Sequence, residues 1–345
     1  MELSSVVLFM LSKMNGERSR NACLHIIRGK RSGQTLQDVQ YFDLKRFFCI
    51  LPKLESAIYE EQIDWLIGNR YITEVESRLY VTDDGYKRAK ALPPYHFNGW
   101  EYRGNETVFF GRLALAIQTL SYFKDGVTSF MPIQTERDIQ VFVKGILRNL
   151  PIEDSQFSKQ VGCELKLALN QSEMSDMQKQ IMASRLTGHG ITGRTWEQLA
   201  TDMGRTSLFV YLEFIEGLHR LLDVVHQVST YHFMRKVAEG IQTSTYLTES
   251  ALQTRQLYAS GLSAEEISAV RGLKQSTIDD HFVEMAINDE AFPLHHFVTL
   301  EQADSVVSKV NELGTRRLRV LKSEFEEMSY FQLRLILGAK LGDGT

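Results

Sequence analysis

The stretch from Ser260 to Phe282 reads Ser-Gly-Leu-Ser-Ala-Glu-Glu-Ile-Ser-Ala-Val-Arg-Gly-Leu-Lys-Gln-Ser-Thr-Ile-Asp-Asp-His-Phe. This pattern predicts a helix, a tight turn and a second helix. Ser263 is a good N-cap, and Glu266, three residues later, completes a capping box. Gly272 stands where the chain must turn sharply, a conformation that glycine adopts without a Cβ penalty.

The apolar positions of this stretch support the same prediction. Ile267 points inward from the first helix, and Ile278 follows Gly272 by the spacing that packs the second helix back on the first. Either Ser276 or Thr277 is expected to cap the second helix. Small or apolar residues at these offsets are typical of a helix-turn-helix. The alternative is a helical hairpin with no role in binding DNA.

Length and composition describe an ordinary globular chain. The 345 residues suffice for two or three domains, and 43% of them are hydrophobic. The net charge of -4 indicates that the chain as a whole is not a polycation that seeks nucleic acid. Cys23, Cys49 and Cys163 are scattered, so they predict neither a disulfide framework nor a zinc site. We interpret them as core residues in a reducing compartment.

The N-terminal segment is apolar but lacks the basic flank of a signal peptide. The sequence also lacks an apolar run near the ~18 residues that a membrane span needs. We therefore expect a cytoplasmic protein, with association with the nucleoid as an option, and no membrane partner.

A basic loop lies in the first third of the chain. Arg28-Gly29-Lys30-Arg31-Ser32-Gly33-Gln34 places three cations and two glycines in seven residues. Such a loop can fit against a phosphate backbone, because cations and backbone N–H groups are both available there. A solvated basic turn is the alternative.

The order of elements around this loop indicates a winged helix. Three helices precede two alternating strands that are joined around Val75-Glu76-Ser77. The predicted helices are Ser19–Ile27, Phe42–Phe48 and Glu55–Gly68, and the predicted strands are Arg70–Glu74 and Arg78–Thr82.

Three short motifs in this region resemble the winged-helix domain that follows the core of RecQ-type helicases. They are Ile-Ile-Arg-Gly-Lys-Arg-Ser (26–32), Ile-Asp-Trp-Leu-Ile-Gly-Asn-Arg-Tyr-Ile (63–72) and Leu-Tyr-Val-Thr-Asp-Asp-Gly (79–85). The resemblance implies binding of duplex DNA near the point of strand separation. It also implies that four residues of the basic loop contact the DNA backbone, namely Arg28, Lys30, Arg31 and Ser32.

The sequence departs from that pattern in two places. The resemblance makes the turn Val75-Glu76-Ser77 the tip of the wing, and this turn has no aromatic residue to stack on an end base pair. The predicted third helix carries carboxylates that phosphates would repel, namely Glu55, Glu60, Glu61 and Asp64. If DNA binds here, we expect the basic loop, together with Lys45 and Arg46, to do most of the binding.

The middle of the chain reads as helical after a break at Pro93-Pro94. Within it, Ala200, Gly204 and Val210 repeat the spacing of Ser268, Gly272 and Ile278. A second helix-turn-helix is therefore predicted. Because Leu208-Phe209-Val210-Tyr211-Leu212 is so apolar, burial of its second helix is favoured over a role in reading DNA. The histidines of this region lack the spacing of a metal site.

The segment Ser244–Leu341 resembles the helix-turn-helix domain at the C-terminus of some RecQ-type helicases. The specific part is Gly261–His281, and Ser-Tyr-Phe-Gln-Leu-Arg-Leu-Ile-Leu (329–337) supports it. Taken as a whole, the chain resembles the YpbB-type family of bacterial proteins. That resemblance implies a gene beside that of a RecQ-type helicase, and hence such a helicase as a partner.

Direct reading of DNA by this segment would use the start of its second helix. The residues concerned are Lys274, Gln275, Ser276 and Thr277. Acids outnumber cations from Ser244 onward, which opposes phosphate binding, although Arg316 and Arg317 could compensate locally. Binding of a protein partner is therefore an equal alternative for this segment.

The sequence thus predicts a mainly α protein with three domains. These are a winged helix with a short β-hairpin (1–94), a helical middle domain (95–243) and a C-terminal helix-turn-helix domain (244–345). We find no helicase core, metal site or cofactor motif, and we expect no enzymatic activity. The leading hypothesis is a DNA repair or recombination accessory protein that binds duplex or branched DNA and supplies modules to a RecQ-type helicase in trans. A sequence-specific transcriptional regulator and a scaffold without DNA affinity are the alternatives.

Overall fold

A computed structural model describes residues 1–243, 246–289 and 291–340. This part of the chain is mainly α-helical, as predicted, and contains one two-stranded antiparallel hairpin. None of its helices has the length and apolar content that crossing a bilayer requires.

The elements follow one another in this order. The helices are α1 (Leu3–Met14), α2 (Ala22–Ile27), α3 (Gly33–Tyr41), α4 (Ser56–Gly68), α5 (Asp83–Lys90), α6 (Gly99–Tyr102), α7 (Glu106–Lys124), α8 (Arg137–Leu147), α9 (Ser155–Gln171), α10 (Asp176–Ser184), α11 (Trp196–Met203), α12 (Ser207–Gln227), α13 (His232–Val237), α14 (Glu249–Ala259), α15 (Ala264–Arg271), α16 (Gln275–Asn288), α17 (Leu300–Leu313), α18 (Leu318–Glu324) and α19 (Tyr330–Lys340). Strands β1 (Ile72–Val75) and β2 (Arg78–Val81) separate α4 from α5, and short 3₁₀ turns occupy Lys45–Phe47 and Leu294–His296.

Tertiary contacts divide the chain into two compact units. The first comprises Met1–Val6 and Leu92–Ser244, and the second comprises Val7–Ala91 and Thr245–Thr345. In the folded protein the region predicted as a winged helix and the C-terminal helix-turn-helix therefore belong to one unit. The three-domain division of the sequence stays a prediction.

The first unit is built around α12, which is enclosed on nearly every side, since none of its residues from Ser207 to His226 is exposed. Eleven of its residues are buried, from Val210 to Val225. Helices α7, α10 and α11 pack against it. Phe109, Phe110 and Phe214 lie in this core. The hairpin α11–α12 repeats the predicted turn, with Gly204 at φ +59°.

The second unit is built around α16. Helices α14, α15, α19 and α3 pack against it. Its core contains Phe282 and Val283, both fully buried. The predicted hairpin after α4 is present and pairs Ile72 with Val81. Glu76 and Ser77 at its tip both have positive φ, as in a two-residue type I′ turn.

Two predictions about these elements are wrong. The helix expected at Phe42–Phe48 is instead α3, at Gly33–Tyr41, followed by a 3₁₀ turn at Lys45–Phe47. The cysteines are not all core residues: Cys23 is buried and Cys49 is half-buried, but Cys163 is exposed on α9. In α9 only Val161, Leu165 and Ala168 are buried, and Cys163 lies off that apolar stripe.

Candidate nucleic-acid interface

The turn between α15 and α16 has the predicted geometry. Ser263 accepts a hydrogen bond from the N–H of Glu266, and the Glu266 side chain accepts one from the N–H of Ser263, which forms a capping box. Gly272 ends α15 with φ +61°, in the left-handed region that glycine occupies most easily. The Ser268 hydroxyl donates to the carbonyl of Leu273 at 2.7 Å and so fixes the turn.

The second helix begins earlier than predicted. Lys274 occupies the N-cap position and Gln275 is the first helical residue, so neither Ser276 nor Thr277 is the cap. Lys274, Gln275 and Ser276 are exposed, and Thr277 is half-buried. These are the positions from which a helix-turn-helix contacts base edges in the major groove. The structure leaves polar side chains available there.

The rest of α16 is enclosed. Every residue from His281 to Ile287 is buried, because α14, α19 and α3 cover this part of the helix. A helix that is buried all round cannot lie along a groove. Only the first turn or two of α16 can approach a ligand.

A hydrogen-bond network centred on Arg271 holds α14, α15 and α16 together. Its guanidinium donates to the carbonyl of Ser250 at 2.7 Å and also to the Thr254 hydroxyl. The Thr254 oxygen lies 2.8 Å from Nδ1 of His281, so that hydroxyl accepts from Arg271 and donates to an unprotonated imidazole nitrogen. Burial, and then the positive charge of Arg271, lowers the pKa of His281. The network is a structural element that the sequence motif did not reveal.

The basic loop after α2 contains side chains that bond within the protein and side chains that are exposed. Arg28 donates to the carbonyl of Leu54 at 2.6 Å and to the Ser56 hydroxyl at 3.0 Å, so it braces the chain. Ser32 caps α3. Lys30 and Arg31 are exposed. Of the four loop residues expected to contact DNA, these two cations are the ones whose side chains are available.

The fold brings the end of this loop against the second turn of α16. Gly33, two residues after Arg31, lies against Asp280: a Cβ on Gly33 would stand 3.4 Å from the Asp280 carboxyl carbon. At a rise of ~1.5 Å per residue, Ser276 is about 6 Å along the helix axis from Asp280. The sequence places these two basic segments about 240 residues apart, near opposite ends of the chain. We define the exposed loop cations Lys30 and Arg31 with Lys274, Gln275 and Ser276 as the composite surface.

The carboxylates that oppose phosphate binding on α16 are partly compensated. Asp280 forms an ion pair with Arg334 of α19. Arg334 also contacts Gln37 of α3, and the Tyr41 hydroxyl donates to the Arg334 carbonyl at 3.2 Å. Burial raises the pKa of Asp279, whose carboxylate accepts from Gln275. No sequence motif identified Arg334 as the residue that neutralises Asp280.

The remaining predicted cations lie elsewhere in the second unit. Lys45 and Arg46 are on the 3₁₀ turn beyond Tyr41, at the other end of α3 from the basic loop. Arg316 and Arg317 are half-buried against the N-terminal segment. The N–H of Arg316 donates to Glu17, and the Arg317 guanidinium donates to the carbonyl of Gly16. The structure therefore does not bring these two pairs into the composite surface, and their contact with DNA stays a prediction.

Comparison with known proteins agrees with the geometry of α14 to α19. Residues 250–337 match the family described as a helix-turn-helix domain. The chain carries a helix-turn-helix domain. Over 340 residues it is also 28% identical to protein YpbB of Bacillus subtilis (strain 168), a match that spans 96% of this chain and 96% of that protein. No solved structure matches. The resemblance to YpbB is supported, and the resemblance to RecQ-type modules stays a prediction.

Proposed function

We propose that the protein is a non-enzymatic DNA-binding accessory factor that works with a RecQ-type helicase in DNA repair or recombination. The observation that carries the DNA-binding part is the composite surface. Its cations can contact phosphates, while Gln275 and Ser276 at the start of α16 can reach base edges. In this proposal the protein acts in the cytoplasm, at the nucleoid.

Local charge explains how a chain with net charge -4 binds DNA. Lys30, Arg31 and Lys274 are exposed, and Gly33 at the end of the basic loop lies against Asp280 of α16. Asp280, the carboxylate of α16 against which Gly33 lies, is paired with Arg334. Phosphate contacts contribute to affinity and to its salt dependence in proportion to their number, so three cations give modest affinity and a slope of log K against log salt of about −3.

Fluorescence anisotropy across a salt series tests DNA binding. The full chain is titrated onto duplex, forked and single-stranded oligonucleotides, and the variant Lys30→Ala/Arg31→Ala is run beside it. The slope of log K against log salt is negative. We expect this variant to make it shallower by about 2, because two phosphate contacts are lost. Lys53→Ala/Lys90→Ala removes two exposed cations of the same unit and serves as the matched control.

The three substrates separate the candidate functions. Preference for the fork supports the helicase accessory function. Preference for one duplex sequence, with a footprint and no affinity for forks, would favour a transcriptional regulator, which the exposed Gln275 and Ser276 also fit. If no oligonucleotide binds at low salt, the DNA-binding proposal is wrong and the protein is a scaffold.

The helicase partnership needs its own measurement. A RecQ-type helicase from the same organism is assayed for unwinding of a forked duplex, with and without the full chain. We expect the chain to raise the unwinding rate, and Lys30→Ala/Arg31→Ala to reduce this effect. An unwinding rate that the chain leaves unchanged, together with no direct binding, would contradict the partnership.

A further inference from the structure

The outer face of α4 carries charge opposite to that of a DNA-binding helix. Its buried side is formed by Tyr59, Ile63 and Leu66. Glu61 and Asp64 are exposed on the other side, at the spacing that places residues on one face. Phosphates would be repelled from this face, although the helix stands directly before the hairpin.

Three carboxylates beside this face already hold one guanidinium. Arg20 contacts Glu60 at 2.7 Å, Asp64 at 3.3 Å and also Glu74 of β1. Its main chain is fixed as well, because the Tyr59 hydroxyl donates to the Arg20 carbonyl at 2.8 Å. One arginine against three acids leaves the site with negative charge, so the local field still favours cations.

An exposed tryptophan lies on the same helix, next to Asp64 in sequence and one turn after Glu61. Trp65 is 44% exposed, and its ring is 5.9 Å from that of Tyr71. Tryptophan is enriched among the residues that dominate binding energy at protein interfaces. An exposed aromatic side chain at the edge of a charged patch is typical of such an interface.

We infer that this face docks a basic protein surface. The face is defined by Trp65 with Glu60, Glu61, Asp64 and Glu74. Its occupant is a lysine- and arginine-bearing surface with an apolar pocket for the indole ring. The inference rests on the proposed function, in which that surface belongs to the helicase partner. The protein then uses the composite surface for DNA and the α4 face for the partner.

Isothermal titration of the full chain with the RecQ-type helicase of the same organism tests the inference. The face variant is Glu61→Lys/Trp65→Ala, which leaves the Arg20 contacts in place. The matched control is Asp304→Lys/Tyr330→Ala, which makes the same charge change and a similar aromatic truncation at exposed positions of α17 and α19. Circular dichroism and thermal unfolding establish that both variants fold.

We expect the face variant to weaken helicase binding by about tenfold or more, because an aromatic anchor is lost and one charge is reversed. The control should bind as the wild type does, and anisotropy on forked DNA should be unchanged in the face variant. Equal helicase binding by wild type and face variant would overturn the inference and leave the partnership intact. No binding by the wild type would contradict the partnership and this occupant together.

Discussion

The two helical hairpins α11–α12 and α15–α16 share a local design and differ in the residues that come after the turn. Each first helix has eight residues, a capping box and a left-handed glycine at its end. After the turn, α12 begins Ser207-Leu208-Phe209 and becomes the core helix of its unit. The helix α16 is also the core helix of its unit, but it begins Gln275-Ser276-Thr277, and the first two of these residues are exposed. The turn pattern therefore specifies a hairpin, and the residues just after it decide whether the second helix can meet a ligand.

The largest effect is expected at the buried position that the two hairpins have in common, which is Ile278 in α16 and Val210 in α12. Ile278→Ala in α16 should lower the free energy of unfolding of the second unit by about 2 to 5 kcal/mol, since the side chain is fully buried. Val210→Ala at the matching position of α12 should cost the first unit about 1 to 3 kcal/mol, because less volume is removed. Chemical denaturation, with hydrogen exchange to assign the loss to a unit, measures both. A cost below about 0.5 kcal/mol at either position, which is the scale of a surface change, would contradict the packing described.

The next effect concerns the two glycines. Gly272 and Gly204 have φ +61° and +59°, and a Cβ on either would meet no atom within 4 Å. Substitution by Ala should therefore cost only the left-handed strain, about 1 to 2 kcal/mol in each hairpin. Thermal unfolding of Gly272→Ala and Gly204→Ala checks this. Clearly unequal losses would show that the two turns are not equivalent.

The caps give a smaller effect. Ser263→Ala and Thr195→Ala each remove a side chain that accepts from the N3 backbone N–H. We expect a loss of about 1 kcal/mol for each, by urea denaturation. The matched variants Ser263→Thr and Thr195→Ser should retain most of the stability, since the hydroxyl is kept. Loss of equal size in these conservative variants would mean that the caps act through packing and not through the hydrogen bond.

The smallest effect is the dependence on pH that His281 gives the α15–α16 hairpin. The folded-state pKa of His281 is lowered by burial and then by Arg271, against an opposite effect of Asp280. The unfolded chain then binds a proton more readily. The contribution of His281 to the free energy of unfolding is fully present above the ordinary pKa of 6.5. It is lost as the pH falls below 6.5 and through the lowered folded-state pKa.

Unfolding free energies of wild type and His281→Gln between about pH 7.5 and about pH 5, a range that brackets that ordinary pKa, measure this contribution. The wild type should lose more stability on acidification than the variant. His25 and His226 also have lowered pKa values, so some dependence remains in the variant. His295→Gln, at an exposed position, is the control and should follow the wild type. If the free energies of unfolding of the wild type and of His281→Gln change equally with pH, the network described around Arg271 is contradicted.

Local patterns predicted the hairpins because caps and turns depend on neighbouring residues. Ser263, Glu266 and Gly272 were assigned correctly from sequence alone. Helix α3 was missed because several of its buried residues are polar. Asp38 is buried and accepts from Arg18 at 2.5 Å and from Gln34 at 2.8 Å, pairings that a hydrophobic pattern does not contain.

The composite surface was only half predictable for a related reason. Lys30, Arg31 and Lys274 were identified one by one as candidate contacts. The loop comes to lie beside α16 because α3 packs against α16, and Arg334 pairs there with Asp280. Such contacts join distant parts of the chain, and a single sequence without tertiary information does not record them.

A comparison of DNA affinity between variants at the start of α16 and variants at the start of α12 tests the role of α16 most directly. Fluorescence anisotropy on forked DNA at low salt is measured for Lys274→Ala/Gln275→Ala and for Arg205→Ala/Ser207→Ala at the corresponding start of α12. The account predicts about tenfold weaker binding for the α16 variant and wild-type binding for the α12 variant. Equal affinity of the α16 variant and the wild type, or a loss confined to the α12 variant, would contradict the claim that the start of α16 contacts DNA.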